Sequence, residues 1–316
     1  MIKSRICDLL GIRYPLLQGG MAWIADAKLA AAVSNAGGLG LISSINFSIE
    51  AVREEIRKCK TLTDKPFGVN IMLQAPNAAD VAQLVLEEKV RIVTTGAGTP
   101  APYFSSWKEA GVTVIPVIPS VAYAVKMQAL GVDALVAEGA ESGGHIGELN
   151  TFPLIPQIVD SVDIPVIAAG GVFDGRAAAA AFMLGAEGVQ LGTRFLIANE
   201  CRIHETYKEK LLAASDVSTI ITGKTYGDTV RSLKTPFSKK FLKMELDPAV
   251  SREEAQAFGA GSLRKAVFDG DLAEGCFLAG EVAGMIQRRE SAKEIVEDIM
   301  EGAERLLAKA PSLLKD

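Results

Sequence analysis

The 316-residue chain is short of several things, and each shortage removes a class of function. It has four cysteines, Cys7, Cys59, Cys201 and Cys276, none in a CxxC pair and none beside a histidine at ligand spacing. Neither a disulfide framework nor a metal site is indicated, and buried free thiols account for them. Histidine is scarcer still: His145 and His204 are the two, so any imidazole chemistry must use one of them. Basic charge is not in excess, because 33 Lys and Arg against 38 Asp and Glu leave −5, and the footprint of a nucleic-acid binder is missing. Long apolar runs are missing too. A stretch such as 164–169 has strand length and stops at glycine, far short of the roughly 20 residues that span a bilayer, so no membrane segment is expected. The start, MIKSRICD, carries charge where a signal peptide needs an apolar core, and the sequence therefore predicts a cytoplasmic protein.

What is present is ordinary globular composition, 49% hydrophobic with 30 glycines and 13 prolines. Short Val- and Ile-rich runs recur at 15–18, 39–43, 67–71, 91–95, 113–117, 134–138, 165–169 and 188–191, with helix-length segments between them. That alternation marks βα units. Eight units in about 195 residues predict an α/β fold of the (β/α)8 TIM-barrel type, whose closed parallel sheet buries both strand faces and so needs uniformly apolar strands. After the first run the chain reads Gln18-Gly-Gly-Met-Ala-Trp23, so the GxGxxG of an open dinucleotide-binding sheet is absent. Residues 1–200 are assigned to the barrel. A smaller helical and irregular appendage follows: 201–250 as an irregular, charged, lid-like insertion and 251–316 as helices packing back on the barrel.

Active sites of such barrels lie at the C-terminal ends of the strands. Gly170-Gly171 follows the seventh run and Gly192-Thr193 the eighth, the two positions where barrels hold a phosphate on unobstructed backbone N–H groups. Either pair alone reads equally well as ordinary turn residues; both together favour a phosphorylated ligand. Asn70, at the end of the third run, and Gln190, within the eighth, suit an amide-rich ring such as a flavin, or else satisfy local backbone. After the sixth run comes Glu138-Gly-Ala-Glu-Ser-Gly-Gly-His-Ile-Gly147, where Gly143, Gly144 and Gly147 let the backbone approach a ligand and present His145 at the barrel mouth. His204, among Glu200, Glu205 and Lys208, reads as a surface or packing histidine.

Taken in order, 18–23, 68–71, 95–98, 137–139, 142–147, 168–171 and 189–195 resemble an FMN-dependent family. It contains nitronate monooxygenase (2-nitropropane dioxygenase) and the type II enoyl-acyl-carrier-protein reductase of bacterial fatty acid synthesis. The stretches 64–70 and 164–171 and the tail Ala279-Gly-Glu-Val-Ala-Gly284 lie closer to the reductase. The resemblance implies FMN held by Gly20, Met21, Ala22, Asn70, Glu138, Gly143, Gly144, Gly170, Gln190, Gly192 and Thr193, with Gly171 at its phosphate and His145 facing the substrate. It also implies NADH or NADPH as co-substrate, a trans-2-enoyl thioester on acyl carrier protein or coenzyme A, and, as in some relatives, a monovalent cation; a homodimer is compatible with it. His145 would donate a proton and polarise the thioester carbonyl. One departure is Glu281, where relatives usually carry Gln; an anion touching the flavin would disfavour its reduced anionic form.

An acidic carrier protein would need a local basic patch, and Lys208, Lys210, Lys224, Arg231, Lys234, Lys239 and Lys240 supply one, although a solvated face explains the same residues. Three other functions remain open at this stage. A nitronate monooxygenase would use the same FMN and histidine with oxygen. A flavin-free phosphosugar lyase or isomerase would need Glu138 as base, and a flavin-binding scaffold would need no catalysis at all.

Overall fold

The computed structural model describes residues 2–45 and 47–313. In chain order its strands are β1 (Leu16–Gln18), β2 (Gly40–Ser43), β3 (Phe67–Met72), β4 (Ile92–Gly96), β5 (Thr113–Ile118), β6 (Leu135–Glu138), β7 (Gly144–His145), β8 (Val166–Ala169), β9 (Gly188–Leu191), β10 (Thr219–Thr222) and β11 (Val230–Leu233). Eight of them form one parallel sheet in the order β1-β9-β8-β6-β5-β4-β3-β2. A parallel bridge between Leu17 and Leu39 joins its two ends, so the predicted (β/α)8 barrel is observed. Each predicted strand run overlaps a barrel strand, because both faces are buried and the apolar signal is continuous.

Side chains alternate across the sheet. Leu17, Leu41, Ile92, Ile115, Val136 and Ile167 pack together as one cluster, and their neighbours Leu16, Ile42, Val93, Val114, Leu135 and Ala168 join a separate one with the helices. The helix Arg5–Leu10 contributes Ile6 and Leu10 to the first cluster. Its Ser4 hydroxyl and Arg5 guanidinium bond Glu187 and the Asp163 carbonyl, just before β9 and β8, which places the helix at the N-terminal ends of those strands. That leaves the opposite end open.

The helix Thr151–Val159 begins three residues before its apolar pattern does, because its first N–H is capped from a distance: the Glu141 carboxylate accepts from the Thr151 N–H and hydroxyl at 2.9 Å each. The helix Ala292–Lys309 starts in a Ser291/Glu294 capping box and buries Ile295, Val296, Ile299 and Met300. It crosses the helix Gly175–Met183 so closely that a Cβ on Gly175 would lie 2.4 Å from the Gly302 carbonyl carbon.

The 201–250 segment differs from its expected irregularity. It carries the helices Glu205–Leu212 and Pro236–Leu246 and the antiparallel hairpin β10-β11, and β11 also pairs with β7. Two strands of four residues and a partner of two residues have too short a period for sequence to register.

Candidate functional site

At the C-terminal ends of the barrel strands lies a cavity of about 620 Å³, within the range of small-molecule sites. It brings together every residue expected there: Gly20, Met21 and Ala22 after β1; Asn70 of β3; Glu138, Gly143, Gly144 and His145 of and after β6; Gly170 and Gly171 after β8; Gln190, Gly192 and Thr193 of and after β9. His204 lies elsewhere, as N-cap of the helix Glu205–Leu212, its Nδ1 accepting from the Thr206 N–H at 3.2 Å.

Glycine is required where these loops close in. Gly170 and Gly171 have φ of +89° and +70°, in the left-handed region. A Cβ on Gly143 would lie 2.6 Å from the backbone of Ala279 and Gly280, and one on Gly20 would lie 2.2 Å from Asn70 Cγ. Two residues that are not glycine, Trp23 at φ +64° and Ala97 at φ +54°, occupy the same region beside or on the cavity wall, each at a cost of about 1–3 kcal/mol that the surroundings must enforce. For Trp23 they do so through edge contacts with Phe47 and Phe268.

The polar groups are poised rather than satisfied. Asn70 Nδ2 donates to Thr94 Oγ1 at 2.9 Å, which fixes its amide. Gln190 Oε1 is buried without a hydrogen-bond partner among the described residues, although its residue lines the cavity; a buried orphan acceptor asks for a donor on a ligand or on ordered water. Burial pushes the Glu138 carboxyl up to about 7, against the opposing effect of the Ser142 hydroxyl. His145 stands at the rim with 64% of its side chain exposed, and its Nε2 lies 3.0 Å from Asp228 Oδ1. The set offers a cradle for an anion and a ring, with an imidazole beside it.

The family model described as nitronate monooxygenase matches residues 3–84 and 81–302. The chain belongs to the nitronate monooxygenase family. Among solved structures, FabK from Thermotoga maritima is 46% identical with a TM-score of 0.96, covering 99% of this chain and 100% of that one. Nitroalkane oxidase from Streptomyces ansochromogenes is 26% identical with a TM-score of 0.86, covering 96% and 99%. A curated relative, (3aS,4S,5R,7aS)-5-hydroxy-7a-methyl-1-oxo-octahydro-1H-indene-4-carboxyl-CoA dehydrogenase of Mycobacterium tuberculosis, is 34% identical over 353 aligned residues, 99% of each chain. The family is one of oxidoreductases.

In this nitronate monooxygenase family member, the Glu281 carboxylate pairs with Arg231 Nη2, 2.9 Å away, between the cavity-lining residues Gly280 and Val282. Arg231 is itself buried and also donates to the Ala140 carbonyl, and Lys208 is buried with its Nζ on the Ala198 carbonyl at 2.9 Å. Both are structural ties and drop out of the basic patch expected for docking, while Lys239 and Lys240 stay exposed. Sequence reasoning missed Asp228, Gly227 and Thr229, which reach the cavity from the turn between β10 and β11. Only the Gly227-Asp228 pair, a turn signature, marked the place. Among the described residues no His, Cys, Asp and Glu group suits a metal ion, and no helix is long and apolar enough to cross a membrane.

Proposed function

We propose that this protein is an FMN-dependent reductase of trans-2-enoyl thioesters, using NADH or NADPH and taking its acyl group from acyl carrier protein or coenzyme A. The observation that carries this is the 46% identity, over the whole of both chains, to T. maritima FabK, an enoyl-acyl-carrier-protein reductase of the second type. The CoA thioester in the name of the M. tuberculosis relative points the same way.

The residues fit the cofactor. Gly170, Gly171, Gly192 and Thr193 would hold the phosphate, and Asn70 and Gln190 would bond the ring edge, satisfying the orphaned Gln190 oxygen. When bound, FMN supplies hydride transfer from the nicotinamide to the substrate Cβ. The protein supplies the rest: the loops orient the thioester, and His145 polarises its carbonyl and gives a proton to Cα. Gly20→Ala tests the cradle. Its new Cβ must displace the Asn70 amide, and FMN affinity is expected to fall about tenfold or more in a fluorescence titration. Unchanged affinity would remove Asn70 from the ring contacts.

The family model and the nitroalkane oxidase likeness favour a second activity, oxidation of alkyl nitronates with oxygen. The purified protein is expected to be yellow, to bleach with NADH or NADPH in the absence of oxygen, and to recover its colour on adding crotonyl thioester. Recovery only with oxygen, together with oxygen uptake on a nitronate, would give the reaction to the second activity.

A further inference from the structure

The hairpin β10-β11 holds the histidine loop by its backbone on both sides of His145. Val230 pairs with His145 and Arg231 with Gly144, and the Ile146 N–H donates to the Thr229 carbonyl at 3.0 Å. Arg231 adds a side-chain tie, its Nε and Nη2 donating to the Ala140 carbonyl at 3.2 and 3.1 Å. The same stretch supplies the carboxylate that meets the imidazole, Asp228 Oδ1 at 3.0 Å from Nε2. One four-residue segment, Asp228 to Arg231, thus holds His145 by both backbone and ring.

The turn carrying Asp228 is itself fixed. Glu245, buried on the helix Pro236–Leu246, accepts from the Gly223 N–H at 2.7 Å and the Thr225 N–H at 2.9 Å. The Asp228 N–H donates back to the Gly223 carbonyl at 3.0 Å, and Gly223, at φ +77°, has no room for a Cβ, which would sit 2.1 Å from the Asp228 oxygen. A loop at the protein surface gains such definition only from specific ties of this kind.

We infer that Asp228 is the positioning residue of His145: it holds the ring through Nε2–H and leaves Nδ1 to face the substrate. The inference rests on the enoyl-reductase function for its chemistry. In the reaction the Nδ1–H bond breaks as the Cα–H bond forms, the enolate and the imidazolium are neutralised together, and solvent at the exposed ring returns the proton to Nδ1. Throughout, the Asp228 carboxylate keeps the ring orientation, as a carboxylate behind a catalytic histidine does elsewhere.

The test uses the FMN-loaded protein labelled with 13C and 15N in histidine, in a His204→Asn background that keeps a capping side chain on the second helix and leaves one imidazole signal. Asp228→Ala is expected to lower the ring order parameter of His145, to leave flavin reduction by NADH or NADPH within about twofold, and to slow flavin reoxidation by crotonyl-CoA by about tenfold or more. Asp228→Asn, which keeps an acceptor without the charge, is expected to retain ring order and to slow reoxidation less. Butyryl-CoA added to the parent protein is expected to move the 15N signal of Nδ1 more than that of Nε2. An unchanged ring order or reoxidation rate in Asp228→Ala, or a larger move at Nε2, overturns the inference. If the parent protein fails to reoxidise with crotonyl-CoA, the enoyl-reductase function falls, and ring order alone then decides the role of Asp228.

Discussion

His145→Ala is expected to keep FMN bound and the barrel folded while enoyl-thioester turnover falls by roughly 10²–10⁴-fold, the range a positioned general acid supplies. The two halves of that expectation come from separate features of the molecule. His145 contributes almost nothing to packing, since 64% of its side chain is exposed and its ion-pair partner Asp228 is 56% exposed. A surface truncation of this kind changes stability by about 0.5 kcal/mol or less. The loops after β1, β8 and β9 and Asn70, proposed above to hold FMN, make no hydrogen bond to the imidazole among the described residues. The variant should therefore remain yellow and bleach normally with nicotinamide, and only the return of colour with crotonyl thioester should slow. Steady-state assay beside the visible spectrum reads both at once. Full turnover in the variant would remove His145 from the chemistry and turn attention to Glu138, a cavity-wall carboxyl that burial pushes up to about 7.

The barrel was legible in the sequence because closed parallel strands announce themselves twice, by apolar runs and by the glycines that end them. The placement of Gly170, Gly171, Gly192 and Thr193 on one cavity followed from strand count alone. His145 was legible for a chemical reason, being one of two histidines and set in a glycine-rich loop at the C-terminal end of a strand run. What escaped were contacts between residues distant in sequence. Asp228 meets His145 through a sheet of three short strands, and Glu141 caps a helix whose first residue lies outside its apolar period. Neither interaction has a local pattern, and each is decided by which loops the barrel end brings together. The same holds for Arg231 and Lys208, whose charges suggested a docking surface until their burial turned them into carbonyl ligands.

Glu290→Ala is expected to cost the fold about 3 kcal/mol, the lower end for stripping one partner from a buried ion pair. Arg194 and Glu290 are 2.6 Å apart with side chains only 5% and 6% exposed. Arg194 follows Thr193 directly, and its guanidinium stacks 4.1 Å over the Phe173 ring, which lies just after Gly170-Gly171. The pair thus ties both glycine loops of the cradle to the start of the helix Ala292–Lys309, a link reinforced by the Asn199 N–H on the Glu290 carbonyl at 2.8 Å. With Glu290 gone, the buried guanidinium keeps, among the described residues, Asp298 at 3.4 Å as its carboxylate partner, and its Nε already lacks one. Asp298 offsets part of the loss, which is why the lower figure applies. Denaturant unfolding of the FMN-free protein measures the cost, and an FMN titration of the same variant is expected to show weaker binding, because the loops that would hold the phosphate have lost their common anchor. Replacing the pair together, Arg194→Met with Glu290→Leu, should recover most of the stability but not the flavin affinity, since two apolar side chains pack without fixing where Thr193 stands. A double variant restored in both respects would mean that the ion pair sets neither loop.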